Sequence, residues 1–321
     1  MKKGLDALAL IVSLLVPCCA ALAQDYPVRE IRSICNFAAG SGADIVVRFY
    51  SDRLSKLAGA PVLVENKPGA QGTLATDFVA KSKPDGYTIL ITPASSTLAT
   101  APHLFKKLPF DPIKDFSPVT TITSLSFVIA VDSAKPLRNI AELVAHLKAK
   151  QNHGFYGTGS NTGQVAAELF KEKMGLSTTY VPFKVTSGAL QAVVSGEVDF
   201  ISYDATWAVT QHPQRIRILA ATAAKRSGAI PDIPTLNELG LGEFDIAPWF
   251  GVVVPAGTPR AVIDRLAGWF NQITNSDDAK QFLARSALDP YPGSPESMAA
   301  LIRTETERWG RWVKLAKIEP Q

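Results

Sequence analysis

Cysteine is nearly absent from this chain of 321 residues. There are three, and two of them, Cys18 and Cys19, fall in the first twenty-three positions. That leaves Cys35 alone, so no disulfide forms within the remainder. A chain of this length can bury a large core without such staples. A lone Cys in an apolar run at a strand end reads as a small core residue rather than a nucleophile. Histidine is equally sparse. His103, His146, His153 and His212 show no metal-ligand spacing and no adjacent acid pair. There is no His-Glu-x-x-His, no paired-cysteine spacing and no Gly-x-Ser-x-Gly elbow, so neither a metal nor a catalytic constellation is indicated. After residue 23 no run approaches the ~20 apolar residues of a membrane span. Lys2, Lys3 and Asp6 aside, 31 basic and 28 acidic side chains remain, net +3, with no basic tract that would indicate nucleic acid.

What is present begins with a leader. Lys2 and Lys3 form a basic start, Leu8 to Val16 an apolar core, and Ala21-Leu22-Ala23 a small-x-small cleavage site before Gln24. This is the pattern of a secretory signal peptide, with an uncleaved anchor as the alternative. The mature chain is then expected from Gln24, exported, and long enough for two α/β domains.

The organising stretch is Ile31 to Arg48. Ile31 to Phe37 reads as a strand. Ala38 to Ala43 carries only small side chains, with Gly40 and Gly42 free to adopt positive φ. From Asp44 the spacing turns helical, and Gly59 is a stop signal. A turn of Ala, Gly and Ser bares its backbone, and the following helix start offers unpaired N–H groups and partial positive charge, which suits a carboxylate or phosphate. Ile45 stands where a dinucleotide fingerprint needs its third glycine, and no Lys-Ser/Thr follows to make a P-loop.

Further strands are expected at Pro61 to Glu65 and Tyr87 to Thr92, with a helix at Thr73 to Ser82 burying Leu74, Phe78 and Val79. This β-α-β-α-β order implies parallel strands, whose carboxyl ends hold ligands. The third strand runs into Pro93-Ala-Ser95-Ser96-Thr97. Pro102 to Pro118 reads as irregular. Thr120 to Val131 is one long apolar run, able to pass between domains, and Pro248 to Pro255 is a candidate return. Between them the logic repeats. A strand at His153 to Tyr156 enters Gly157-Thr158-Gly159-Ser160-Asn161-Thr162-Gly163, and a helix follows from Gln164. A strand at Thr178 to Phe183 leads to Lys184, and one at Val198 to Tyr203 ends at Asp204. Helices are expected at Asn139 to Lys150, Pro259 to Thr274, Asp277 to Ala287 and Pro295 to Leu315.

These stretches carry a resemblance. Tyr26-Pro-Val-Arg-Glu-Ile-Arg32, Phe37-Ala-Ala-Gly-Ser-Gly-Ala-Asp44, Pro61-Val-Leu-Val-Glu-Asn-Lys-Pro-Gly69-Ala-Gln-Gly72, Phe110-Asp-Pro-Ile-Lys-Asp-Phe116, Asp232-Ile-Pro-Thr235 and Pro255-Ala-Gly-Thr-Pro259 run in order along the chain. Together they resemble the Bug-type substrate-binding proteins of tripartite tricarboxylate transporters. The resemblance implies an α/β, two-lobe periplasmic binding protein (type II, Venus-flytrap) with two chain crossings. Residues 24–124 and 248–321 would form lobe 1 and residues 125–247 lobe 2. It implies a small organic acid held between the lobes, no cofactor or metal, no enzyme activity, and permease subunits of the transporter or a sensor protein as partners to a monomer. By position the ligand contacts would be Phe37, Ala38, Ala39, Gly40, Ser41, Gly42, Ala43 and Asp44, then Ser95, Ser96 and Thr97. From lobe 2 they would be Thr158, Gly159, Ser160, Asn161 and Thr162, with Lys184 and Asp204. Ala43, Phe183 and Val185 replace more polar or smaller residues common in the family, which implies a less polar pocket.

Overall fold

A computed structural model describes residues 26–150, 153–183, 186–242 and 244–320. The leader expected at 1–23 and the expected contact Lys184 lie outside the described residues.

The chain begins with β1 (Ile31–Cys35), α1 (Gly42–Ala58), β2 (Val62–Asn66), α2 (Thr73–Ala80) and β3 (Thr88–Thr92). β1 lies between β2 and β3, parallel to both. A π-turn, Ser95–Thr100, runs into the short helix α3 (Ala101–Leu104), and β4 (Phe116–Ser124) follows. The expected long run from Thr120 to Val131 breaks at Leu125 and Ser126, where β5 (Phe127–Asp132) begins in a different sheet.

The second sheet is built by β5, α4 (Ile140–Ala149), β6 (Phe155–Thr158), α5 (Asn161–Met174), β7 (Thr179–Pro182), α6 (Thr186–Ser195), β8 (Phe200–Asp204), α7 (Ala205–Gln211) and β9 (Ile216–Ala221). Its strand order is β7-β6-β8-β5-β9. The chain then returns as β10 (Trp249–Pro255), α8 (Arg260–Asn275), α9 (Asp277–Arg285), β11 (Asp289–Pro290) and α10 (Pro295–Leu315). β10 inserts antiparallel between β3 and β4, so the first sheet reads β11-β4-β10-β3-β1-β2 and is mixed. The fold is α/β with two lobes.

The two crossings touch. The Leu125 N–H donates to the Pro248 carbonyl at 2.9 Å. Thr222 Oγ1 donates to the carbonyls of Phe127 and Ile246, which ties the start of β5 to the returning strand.

Amphipathic spacing explains the first lobe's core. Val46, Val47, Tyr50 and Leu54 of α1 pack with Ile31 and Ile89 of the sheet and with Leu266 and Phe270 of α8. Leu74 departs from expectation. It is 59% exposed, because Ala75, Thr76 and Val79 form the buried face of α2. Cys35 is buried, as an apolar strand end predicts, and burial pushes its thiol up.

Candidate functional site

Both parallel units end in a strand-turn-helix corner, and each corner is fixed by a serine. In the first lobe the Ser41 hydroxyl caps α1, accepting the Asp44 N–H at 3.2 Å. The Asp44 carboxylate then folds back on its own turn. Its Oδ2 accepts the Gly40 N–H at 2.8 Å and Arg48 Nε at 2.9 Å, and its Oδ1 accepts Asn66 Nδ2 at 2.7 Å. Burial would raise this carboxyl. The bonds from Arg48, Asn66 and Gly40 outweigh burial and hold it below the usual range. Asp44 thus builds the turn. The N–H groups left without a protein partner are those of Gly42 and Ala43, the first two of α1.

The second lobe repeats the arrangement. Ser160 caps α5, accepting the Gly163 N–H at 3.1 Å, which leaves the Asn161 and Thr162 N–H groups unpartnered. The helix starts three residues before the expected Gln164, so Asn161 and Thr162 form its first turn rather than a preceding loop. Gly163 allows the close seating. A Cβ there would lie 2.0 Å from Thr158 Oγ1 and 2.9 Å from the Ser202 carbonyl.

Two cavities are lined by residues of both lobes. One, of about 480 Å³, is lined from lobe 1 by Phe37, Gln71, Ser96, Thr100, Ala101, Leu104 and Phe105. From lobe 2 it is lined by Gly159, Ser160, Asn161 and Thr162. The other, of about 210 Å³, is lined by Gly42, Ala43, Ile45, Val46, Phe250, Ser286 and Leu288, by Leu125 at the crossing, and by Asp204 and Thr206 of lobe 2. Among the described residues no Lys or Arg lines either cavity. Positive potential there comes from the two helix starts.

The remaining expected contacts sort by position. Ser96 lines the larger cavity and donates to the Pro93 carbonyl. Its neighbours turn inward. Ser95 Oγ accepts the Trp249 N–H, and Thr97 Oγ1 bonds Asn36 Nδ2 at 3.1 Å and Thr92 Oγ1 at 2.8 Å. Thr158 is buried beneath the second turn. Ala38, Ala39 and Gly40 are exposed at the turn's crest, outside both linings. Asp204 caps α7, its Oδ1 accepting the Trp207 N–H at 2.9 Å. Burial pushes this carboxyl up, against the opposing effects of the Trp207 N–H and of its own backbone N–H.

Sequence reading missed several lining and framing residues. Arg48 and Asn66 brace the first turn and Asn36 ties its start to Thr92 and Thr97. Leu125 and Phe250 come from runs read as crossings, and Leu288 lies just past an expected helix end. Asn36 carried a usable signal, as a buried polar residue at a strand end, since such a group requires partners. Among the described residues no group of three or more His, Cys, Asp or Glu could hold a metal ion, and no helix is long and apolar enough to cross a membrane.

The sequence profile of the tripartite tricarboxylate transporter family receptor matches residues 46–318. The chain belongs to that family. BugT of Bordetella pertussis is 30% identical over 296 residues, covering 91% of this chain and 90% of its own. A Cupriavidus necator relative is 31% identical over 292 residues, covering 90% and 88%. Among solved structures, an R. palustris protein with adipate superposes with a TM-score of 0.79 at 30% identity, over 92% of this chain and all (100%) of that one. The periplasmic binding protein BugD gives 0.74 at 28% identity, covering 92% and 100%. MatC from Rhodopseudomonas palustris with bound malate gives 0.72 at 28%, covering 90% and 100%. The matched family is one of transporter receptors rather than enzymes, and the present chain is of that receptor class.

Proposed function

We propose that this protein is a periplasmic receptor, exported by a cleaved leader at residues 1–23. It captures a small organic acid anion between its lobes and delivers it to the membrane subunits of a tripartite tricarboxylate-type transporter. One observation carries the reading. Two serine-capped helix starts, one per lobe, each leave two N–H groups unpartnered at cavities that both lobes line. A carboxylate enclosed as the lobes close and bring the two helix starts together would take donors from both lobes. Each charge-assisted hydrogen bond contributes about 1.5–3 kcal/mol. Several of them, less the cost of ordering, give roughly micromolar affinity, about −8 kcal/mol. Adipate and malate in the two relatives support the ligand class.

In this reading Gly42, Ala43, Ser96, Asn161 and Thr162 touch the ligand. Asp44, Ser95, Thr97 and Thr158 hold the turns that present them. Residues 24–124 and 248–321 move against 125–247 about the crossings at Leu125 and Pro248, and ligand favours the closed arrangement because only there do both sets of donors engage. Thermal-shift measurements on the mature chain with mono-, di- and tricarboxylates test the proposal. Stabilisation by at least one acid is expected. A folded protein stabilised by none would overturn it.

A further inference from the structure

The smaller cavity is chemically unlike the larger. Its walls are the side chains of Ile45, Val46, Leu125, Phe250 and Leu288, and the N–H groups of Gly42 and Ala43 stand at its edge. Among the described residues the single charged group lining it is Asp204, whose carboxylate caps α7. We infer that this cavity receives the apolar body of the bound acid, so that the receptor selects monocarboxylates with an alkyl or aryl body over di- and tricarboxylates. The inference rests on the function proposed above and narrows it.

Two physical effects act in the same direction. Apolar surface moved from water into an apolar cavity is stabilised in proportion to its area. A dry cavity of about 150 Å³ lined by Leu, Ile and Phe takes up benzene, so about 210 Å³ has room for a six-carbon ring or chain. A second carboxylate carried into the same space would meet Asp204 at short range. Among the described residues no cation lines that cavity to offset the repulsion, which low-dielectric walls strengthen. The ligand's one carboxylate stays at the helix starts, and the uncharged remainder lies along Leu125 and Phe250.

Calorimetric titration of the mature protein with propionate, pentanoate, hexanoate and benzoate, beside succinate, adipate, malate and citrate, tests this. Affinity is expected to rise about fourfold per added methylene until the cavity fills. Hexanoate should bind at least tenfold more tightly than adipate, which differs only in its far carboxylate. Asp204→Asn, which keeps a good helix cap, should shrink that gap. Leu288→Trp, which fills the cavity, should flatten the chain-length dependence. Ligand-free melting curves establish that each variant is folded, and the hexanoate and adipate comparison on the parent protein decides the matter if either is not. Adipate binding as tightly as hexanoate, or no gain with chain length, overturns the inference while the receptor function stands. Failure of every acid overturns both.

Discussion

Asp44 shows how a residue can shape a candidate site without facing its cavities. It lies in the first turn of α1, next to the exposed Ala38–Gly40, yet its side chain is almost wholly buried and binds Gly40, Arg48 and Asn66. Asp44→Ala would leave the Gly40 N–H without its acceptor and Asn66 Nδ2 with the Phe37 carbonyl alone, and is expected to cost about 1–3 kcal/mol of stability, read from denaturant unfolding. The pH dependence has a definite sign. A carboxyl held below its usual value contributes stability above about pH 4, the ordinary aspartate range, and loses it as pH falls through the folded-state value. The difference between parent and variant should therefore be full at pH 7 and shrink below pH 4. The sequence showed that an acidic residue follows a bare turn. It did not show that the acid faces inward, because one deciding partner, Asn66, arrives from the end of β2, which pairs with β1 at Cys35.

At the scale of elements, the site is two strand-turn-helix corners. The first was legible because Gly40, Gly42 and the apolar spacing after Asp44 mark it. The start of α5 was obscured. Asn161, Thr162 and Gly163 are weak helix formers, and the Ser160 cap outweighs their preference. The π-turn and α3 were hidden for a related reason. Pro102 reads as a breaker, but it occupies the first turn of its helix, where no N–H is needed. Gly163→Ala tests how tightly the second corner is built. The added methyl meets Thr158 Oγ1 and the Ser202 backbone, so α5 must shift away from β6 and β8. A loss of about 1–3 kcal/mol is expected, with weaker acid binding in calorimetry. Gly40→Ala, where nothing lies within 4 Å of an added Cβ, should incur only the strain of its positive φ.

In the whole molecule the last helix joins the lobes. Met298 and Ile302 pack with Phe116, Trp249 and Val253 in the first lobe, while Trp309 and Val313 enter the core formed by Val165, Phe170 and Phe200 in the second. Gln164 in α5 donates to the Ala316 carbonyl just past the helix, and Arg308 pairs with both Glu305 and Asp245 next to the returning crossing. The periodicity of α10 was clear from the sequence. Its division between two cores was not, since a stripe of apolar residues does not name what it packs against. Trp309→Ala should cost about 3–5 kcal/mol, measured by thermal or denaturant unfolding. The central claim, that bare amides at the two helix starts, one per lobe, together hold the anion, has a direct test. Proline suits the first position of a helix, and Ser41 and Ser160 are already extended as a preceding residue must be. Gly42→Pro and Asn161→Pro therefore each delete one N–H with little change of fold. Titration calorimetry with whichever acid binds the parent should show affinity falling roughly tenfold to a hundredfold in each variant, as loss of one charge-assisted bond requires. Two folded variants that bind the acid as tightly as the parent would contradict the account.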